Sequence, residues 1–153
     1  MESKKKKARY QRLFVQLEKL MSTCKNEEAR QASIIAVLHH KMDYYFWTGF
    51  YILVDGELIV SKYQGPVACM LLKKGSGVCW AAVNAQKSIV VPDVHLFPGH
   101  IACDSRSNSE IVIPLKNKKD EIIGVLDVDS KDLHSFDEID LIYLEKILQL
   151  IHI

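Results

Sequence analysis

Three cysteines lie beside loop-forming residues and could carry thiol chemistry. Cys103 lies in residues 97–104, which read FPGHIACD and include His100, so a thiolate is plausible there. Cys79 follows a Gly-Ser-Gly-Val stretch at a predicted helix start, where the helix dipole is expected to lower its pKa. Cys69 lies in an apolar segment upstream. A thiolate that is oxidised in a reaction needs a partner thiol to return to its starting state. The cysteines therefore favour a redox cycle, although Cys69 by itself also fits a small core residue.

Three carboxylates are predicted to share one end of a sheet. Glu110 begins an apolar segment with strand character, and Asp127 and Asp129 end the next one. If residues 116–121 form a symmetric hairpin loop, Glu110 pairs near Asp127, and directly paired residues point to the same face. Asp127 and Asp129 are two residues apart and share a face as well. Such a cluster requires a cation or a retained proton; the alternative is three polar strand ends that face water.

The remaining pattern mixes helix and strand signals and predicts the α/β (α+β) class. Apolar spacing predicts an amphipathic helix over residues 8–23, and Asn26 is placed to cap a second helix. Ser135 and Glu138 predict a capping box for a C-terminal helix, whose broad apolar surface favours packing against a second subunit. Residues 92–108 read as a long loop, which in a compact domain is usually functional. A short helix is predicted over residues 78–85, and strands over residues 44–54, 58–63, 67–72, 88–91, 111–115 and 122–128.

Composition indicates a globular domain without a charged partner. Of the 153 residues 48% are hydrophobic and 25% charged, and the net charge of +1 gives no electrostatic case for nucleic acid or a membrane surface. Residues 1–9, with their lysine run, are predicted to be a flexible basic tail, and residues 10–153 a single catalytic domain. No membrane span or secretory signal is expected, so the cysteines predict a reducing cytoplasmic setting with a transient disulfide. Cys24 is predicted to be a buried or inert thiol.

A metal centre is the weaker interpretation of the same region. His95, His100 and Cys103 could supply ligands, but the sequence has no Cys-x-x-Cys pair and no second His/Cys cluster of the usual spacing. We therefore expect no metal.

Six motifs of the chain together form a recognisable pattern. They are Trp47-Thr-Gly-Phe-Tyr51, Gly77-Val-Cys79, Pro92-Asp-Val-His95, residues 97–104, Ser107-Asn-Ser-Glu110 and residues 124–130. Together they resemble the free methionine-(R)-sulfoxide reductases, which are single GAF-domain enzymes, and the resemblance spans roughly residues 10–150. One departure is Trp80, since the family usually has a small residue after Gly-Val-Cys.

The resemblance implies a GAF-like six-stranded antiparallel sheet with flanking helices, often in a homodimer. It implies reduction of free L-methionine (R)-sulfoxide through a thiolate, sulfenic acid and disulfide cycle, with no bound cofactor and an external thioredoxin-type reductant. Cys69 would be the resolving residue, with Cys79 exchanging later.

Residue chemistry gives the remaining roles at such a site. Cys103 would attack the sulfoxide, and Glu110, alone or together with Asp129, would supply a proton. Asp127 foremost among the remaining carboxylates would bind the substrate ammonium, and Trp47 and Tyr51 would enclose the thioether. Two other classes stay open: a non-catalytic GAF-type ligand-binding module and a thiol redox sensor.

Overall fold

The computed structural model describes residues 1–100 and 103–152 of the chain. Ile101 and Ala102, which belong to the predicted cysteine loop, and Ile153 lie outside the described residues. Six described strands form one antiparallel sheet, which confirms the expected architecture. In chain order the strands are β1 (Trp47–Val54), β2 (Glu57–Gln64), β3 (Leu71–Leu72), β4 (Ile89–Val91), β5 (Ser109–Lys116) and β6 (Ile122–Ser130). Across the sheet they run β3-β2-β1-β6-β5-β4.

Helices cover both faces of this sheet. Three of them pack their apolar sides on the face that presents Phe50, Leu126 and Val128, and form the larger core there. The third helix in chain order covers the opposite face, which carries the smaller core. The described helices of more than one turn are α1 (Ser3–Met21), α2 (Glu27–Lys41), α3 (Gly77–Ala85) and α4 (Glu138–Gln149); α3 is the one on the opposite face.

The N-terminal lysine run is part of α1 and not a flexible tail. The helix begins at Ser3, and Lys6 is buried with its ammonium 2.7 Å from Asp140. Asp140 is itself buried and also accepts hydrogen bonds from the hydroxyls of Tyr10 and Tyr44. The sequence pattern missed this arrangement because the partner of Lys6 lies 134 residues further along the chain.

Helix ends and strand ends differ in detail from the sequence pattern. Asn26 caps α2 as predicted, and its side chain accepts from the backbone N–H of Ala29. The capping box of α4 is formed by Asp137 and Asp140, because the Ser135 hydroxyl bonds to residues outside the helix instead. β1 begins at residue 47 and β3 contains two residues only, so residues 67–70 are irregular.

The surface of α4 is covered mainly within the same chain. It packs against α1 on one side and β5 on the other, which accounts for the breadth of its apolar face without a second subunit. Ile142 stays exposed on this helix. Cys24, predicted to be buried or inert, is an exposed free thiol. No described helix combines the length and the apolarity that crossing a bilayer requires.

The register of the central strands brings the predicted acids together. Glu110 pairs with Asp129 and Val112 pairs with Asp127, two residues away from the pairing that a symmetric hairpin predicts. The pairing of Lys116 with Ile122 accounts for one residue of this offset, and the register shift between Leu115 and Lys116 accounts for the other. A shift of two residues leaves every side chain on its face, so the three carboxylates still share the α3 side of the sheet.

Candidate active site

A cavity lies between the sheet face under α3, the irregular segment that carries Cys69, and the loop that carries Cys103. We call it the cysteine cavity. It brings together every site residue that the sequence predicted. Its lining includes Trp47, Tyr51, Cys79, Cys103, Glu110, Asp127 and Asp129, and Cys69 lies at its edge in a disulfide with Cys103.

The Cys69–Cys103 disulfide joins two segments that are 34 residues apart in sequence, with 5.6 Å between the Cα atoms. Cys103 is exposed and Cys69 is half-buried. The Tyr51 hydroxyl donates a hydrogen bond to the Cys69 carbonyl at 2.9 Å, which attaches this irregular segment to β1. The protein is therefore in its oxidised state, and the pair is the one that the family resemblance implied.

Charged groups fix the loop just beyond Cys103. The Arg106 guanidinium donates two hydrogen bonds to Asp104, and these bonds lower the pKa of the Asp104 carboxyl to about 2. Arg106 also lies over the Phe46 ring at 5.0 Å from its centroid, and Lys131 lies over the same ring at 4.8 Å. Cation–π contacts of this kind attach the cysteine loop to the chain just before β1.

Cys79 has a different environment from the other two cysteines. It lies in the first turn of α3, where the helix dipole was expected to lower its pKa, but it is only 4% exposed. Burial raises the pKa of this thiol well above its ordinary value, and the charges of Asp127 and Glu110 raise it further. The expectation of an activated Cys79 is therefore wrong for this state, because desolvation outweighs the dipole.

Trp80 departs from the family pattern and has a structural role here. Its indole N–H donates to the Leu72 carbonyl at 3.1 Å, and the ring is buried in the smaller core. This contact attaches α3 to β3.

The carboxylate cluster, which consists of Glu110, Asp127 and Asp129, is the most unusual feature of the cavity. Glu110 and Asp127 are each 6% exposed, and Asp129 is half-buried. Burial raises the pKa of all three, and for Glu110 the neighbouring charges of Asp127 and Asp129 add to the effect. At Asp127, hydrogen bonds from Glu110 and Cys79 lower the pKa and partly offset the increase that burial causes. A proton in this cluster is therefore held more strongly by Glu110 than by Asp127.

Two polar atoms at the cavity have no partner. Asp127 Oδ1 and Trp47 Nε1 are buried and make no hydrogen bond within the described residues. One is an acceptor and the other a donor, and both belong to lining residues. Unsatisfied buried groups are rare, so they indicate a place for a polar ligand.

The aromatic wall depends on a glycine. The Trp47 ring stacks on Tyr63 and Tyr51 at centroid distances of 5.2 and 5.7 Å. A Cβ at Gly49 would lie 2.6 Å from the Trp47 ring and would overlap Tyr63, so only glycine leaves room for the indole. This explains the Trp-Thr-Gly-Phe-Tyr motif physically.

The histidines do not form the metal site considered from the sequence. Cys103 is in the disulfide, and the His95 ring bonds to Asn108 at 2.9 Å. Within the described part of the chain, the group whose ligand atoms come close enough to hold a metal is Cys79, Glu110 and Asp127.

Several residues at the site were missed by sequence reasoning. Arg106, which pairs with Asp104 and lies over Phe46, had no recognised signal in the sequence, and neither had Phe46. The bond from Tyr51 to the Cys69 carbonyl could not be foreseen, because it joins a strand to an irregular segment.

Comparison with known proteins places this fold and cavity in a family. A model of the GAF domain matches residues 34–153. GAF domain-containing protein A of Dictyostelium discoideum is 48% identical over 147 residues, which cover 95% of this chain and 92% of that protein. The free methionine-R-sulfoxide reductase of Escherichia coli K12 is 45% identical over 112 residues, which cover 73% of this chain and 67% of that protein.

A solved structure agrees with these relatives. The free methionine-R-sulfoxide reductase of Neisseria meningitidis in complex with its substrate superposes with a TM-score of 0.90 and 38% identity, over 99% of this chain and 90% of that one. The fold and the cavity together define a GAF domain with a redox-active cysteine pair. The chain belongs to the free methionine-R-sulfoxide reductase family of GAF-domain enzymes. The resemblance in the motifs is thus confirmed.

The pKa of Glu110 predicts how stability depends on pH. The folded protein holds the Glu110 proton more tightly than the unfolded chain does, because the pKa of Glu110 is raised on folding. The contribution of this proton to the free energy of unfolding is complete below about pH 4.3, the ordinary pKa of glutamate. That contribution is lost as the pH rises through the raised pKa. Each unit of raised pKa corresponds to about 1.4 kcal/mol. We expect Glu110→Gln to flatten the decline of unfolding free energy between acid and neutral pH, measured by urea denaturation of the disulfide form.

The matched control is Glu121→Gln, which changes an exposed carboxylate in the β5–β6 hairpin. It should leave the pH dependence as in the unsubstituted chain. An equally steep decline in the Glu110 variant would contradict the assigned protonation.

Proposed function

We propose that this chain reduces free L-methionine (R)-sulfoxide to L-methionine with Cys103 as the nucleophile. The observation that carries the proposal is a Cys69–Cys103 disulfide at a cavity that also contains buried carboxylates and stacked aromatic rings. Family membership and the substrate named for the Escherichia coli relative support the same reaction.

The first step transfers oxygen from substrate to enzyme. The Cys103 thiolate attacks the sulfoxide sulfur, and the oxygen needs a proton because it is a poor leaving group. Glu110 supplies that proton, since burial and the neighbouring Asp127 and Asp129 raise its pKa well above the ordinary value. The oxygen then passes to the Cys103 sulfur, so the substrate S–O bond breaks and methionine leaves as the thioether. Cys103 becomes a sulfenic acid that carries the proton from Glu110, and Glu110 is left as a carboxylate.

The second step restores a defined redox state. The Cys69 thiol condenses with the sulfenic acid and releases water, which gives the disulfide. The bond between these two residues supports Cys69 as the resolving cysteine. Cys79 lines the same cavity and is proposed as a later exchange partner.

The negative charge of the cavity acids would select a free amino acid, because a free amino acid carries an ammonium group. Asp127, with Asp129 beside it, would accept the substrate ammonium, and the unpartnered Asp127 Oδ1 supports this role. A methionine inside a protein has no such ammonium and would leave the acids unpaired. Trp47 and Tyr51 would enclose the thioether, and the unpartnered indole N–H of Trp47 would donate to a substrate oxygen.

Thiol counting tests the reaction directly. The reduced protein has four thiols, and a single turnover with the (R) epimer should consume two and release one methionine. Cys103→Ser should lower single-turnover methionine release by roughly a thousandfold or more, because serine cannot accept the oxygen. Released methionine and free thiols are measured together after rapid mixing.

Cys24→Ser is the matched control, since Cys24 is an exposed free thiol outside the cavity and its loss should leave turnover unchanged. Undiminished release from the Cys103 variant would remove Cys103 as the nucleophile. Binding without thiol loss would instead identify a ligand-binding module, and thiol loss with peroxide but without preference for either sulfoxide epimer would identify a redox sensor.

Asp127 should control substrate affinity. Asp127→Asn removes a buried charged partner of the ammonium, a contact of about 1.5–3 kcal/mol, so KM should rise roughly tenfold to a hundredfold. The desamino analogue of methionine sulfoxide lacks the ammonium, and its KM should barely change between the variant and the unsubstituted chain. Steady-state assays with both compounds measure this.

Asp120→Asn makes the same change at an exposed turn and serves as the control. An equal rise in KM for the desamino analogue would indicate that Asp127 acts on something other than the ammonium.

Reduction of the disulfide needs an external dithiol, and we propose a thioredoxin-type protein. Cys103 is exposed in the oxidised state, so a partner thiolate can reach it. Next to Cys69, the Met70 side chain is 75% exposed and the Met70 carbonyl is fixed by the Val60 backbone N–H. An exposed apolar side chain beside an exposed disulfide supports docking of a protein reductant.

Met70→Glu should therefore slow reduction by thioredoxin about tenfold while leaving reduction by dithiothreitol unchanged. Loss of an apolar contact weakens protein docking, whereas a small dithiol needs no docking surface. Val54→Glu introduces the same charge at an exposed position in the β1–β2 hairpin and serves as the control. Equal slowing with both reductants would contradict a docking role for Met70.

Three statements about organisation stay predictions. We propose that the chain acts as one catalytic domain, which begins with α1 at Ser3 and not at residue 10 as the sequence predicted. We also propose that the protein forms a homodimer and that it works in a cytoplasmic reducing compartment. A disulfide that forms and is reduced in each cycle suits such a compartment.

A further inference from the structure

We propose that Cys79, Glu110 and Asp127 form a zinc site whose occupation inhibits the enzyme. The ligand atoms of these three buried residues all lie within 4.8 Å of one another. The zinc ion would be an inhibitor and not a cofactor. Its binding stands on this geometry, whereas its inhibitory effect rests on the function proposed above.

The ligand atoms are of the types that zinc prefers, and the distances between them are close to those of a tetrahedral zinc site. Zn²⁺ binds thiolate at about 2.3 Å and carboxylate oxygen at about 2.0–2.2 Å, so tetrahedral ligand atoms lie roughly 3.5 Å apart. The three ligand atoms lie within 4.8 Å of one another, so only small side-chain movements are required to reach that spacing. The thiolate favours zinc over magnesium or calcium, which prefer oxygen ligands. The fourth position would open to the cavity, which all three residues line.

A second observation points to a cation at the same place. Asp127 Oδ1 is buried without a hydrogen-bond partner, and Asp127 is only 6% exposed. A buried carboxylate oxygen without a donor is satisfied by a cation. The proposed zinc site is therefore more than a group of neighbouring acids, because it contains the Cys79 thiol and the unpartnered Asp127 Oδ1.

The charge and proton balance follows from the ligands. Zinc replaces the thiol proton of Cys79 and the carboxyl proton of Glu110, so binding releases two protons and becomes stronger as the pH rises. No oxidation or reduction is involved. The bound ion would also occupy Asp127, which the substrate ammonium needs, so inhibition is expected to be competitive with methionine sulfoxide.

The disulfide form isolates this site from other thiols. In that form Cys69 and Cys103 are joined and cannot hold a metal, which leaves Cys79 and the exposed Cys24 as free thiols. A Cys24→Ser background then leaves Cys79 as the sole thiol.

The test is a Co²⁺ titration of the oxidised Cys24→Ser protein, followed by displacement with Zn²⁺. We expect one Co²⁺ per chain with a thiolate-to-cobalt charge-transfer absorption, and loss of that absorption when Zn²⁺ is added. Adding Cys79→Ser should abolish the absorption, and adding Asp127→Asn should weaken binding at least tenfold. Circular dichroism of each variant establishes that it is folded.

Absence of the charge-transfer absorption, or its survival in the Cys79 variant, would overturn the proposed site. Inhibition is measured separately as turnover of the reduced enzyme with and without a zinc chelator. Cobalt binding without competitive inhibition by Zn²⁺ would retain the site and overturn its inhibitory effect. Lack of turnover in the presence of chelator would instead count against the proposed reductase function, and the spectroscopic result would stand.

Discussion

The candidate site depends on the placement of three carboxylates, two of them buried and one half-buried, on one face of a sheet. Glu110, Asp127 and Asp129 come from adjacent strands, and their pKa values rise because burial disfavours their charged forms. Such a cluster costs stability unless protons or a cation offset the charge. Acids with raised pKa values beside a cavity indicate a functional site. The proposed substrate ammonium and the proposed metal ion would each offset this negative charge.

The two faces of the sheet differ in role: one packs the larger core that stabilises the fold, and the other carries the candidate site. The larger core under α1, α2 and α4 is apolar, and its buried polar groups are paired, as Lys6 and Asp140 illustrate. The α3 face carries the carboxylates, the aromatic wall and the unpartnered polar atoms. Unsatisfied groups can be tolerated on one face because the other supplies most of the buried apolar surface.

The same residue type has a different character at each of its positions in the cavity. Cys103 is exposed on a loop that Arg106 and Phe46 attach to the sheet, whereas Cys79 is buried at the start of α3 beside the acids. Burial makes the Cys79 thiol hard to ionise, which supports the proposal that Cys103 is the nucleophile in the initial attack. Position in the fold therefore separates the roles of chemically identical side chains.

The sequence by itself determined the number and approximate positions of the strands, the cap at Asn26 and the clustering of the acids. These features depend on local periodicity, on helix capping and on the period of two within a strand. It also contained the motifs that identify the family. Only the tertiary structure decided the two-residue shift of register, the helical state of the lysine run, the burial of Cys79 and the bond from Tyr51 to Cys69. These features depend on partners far apart in sequence, whose desolvation and hydrogen bonding exist only once the chain has folded.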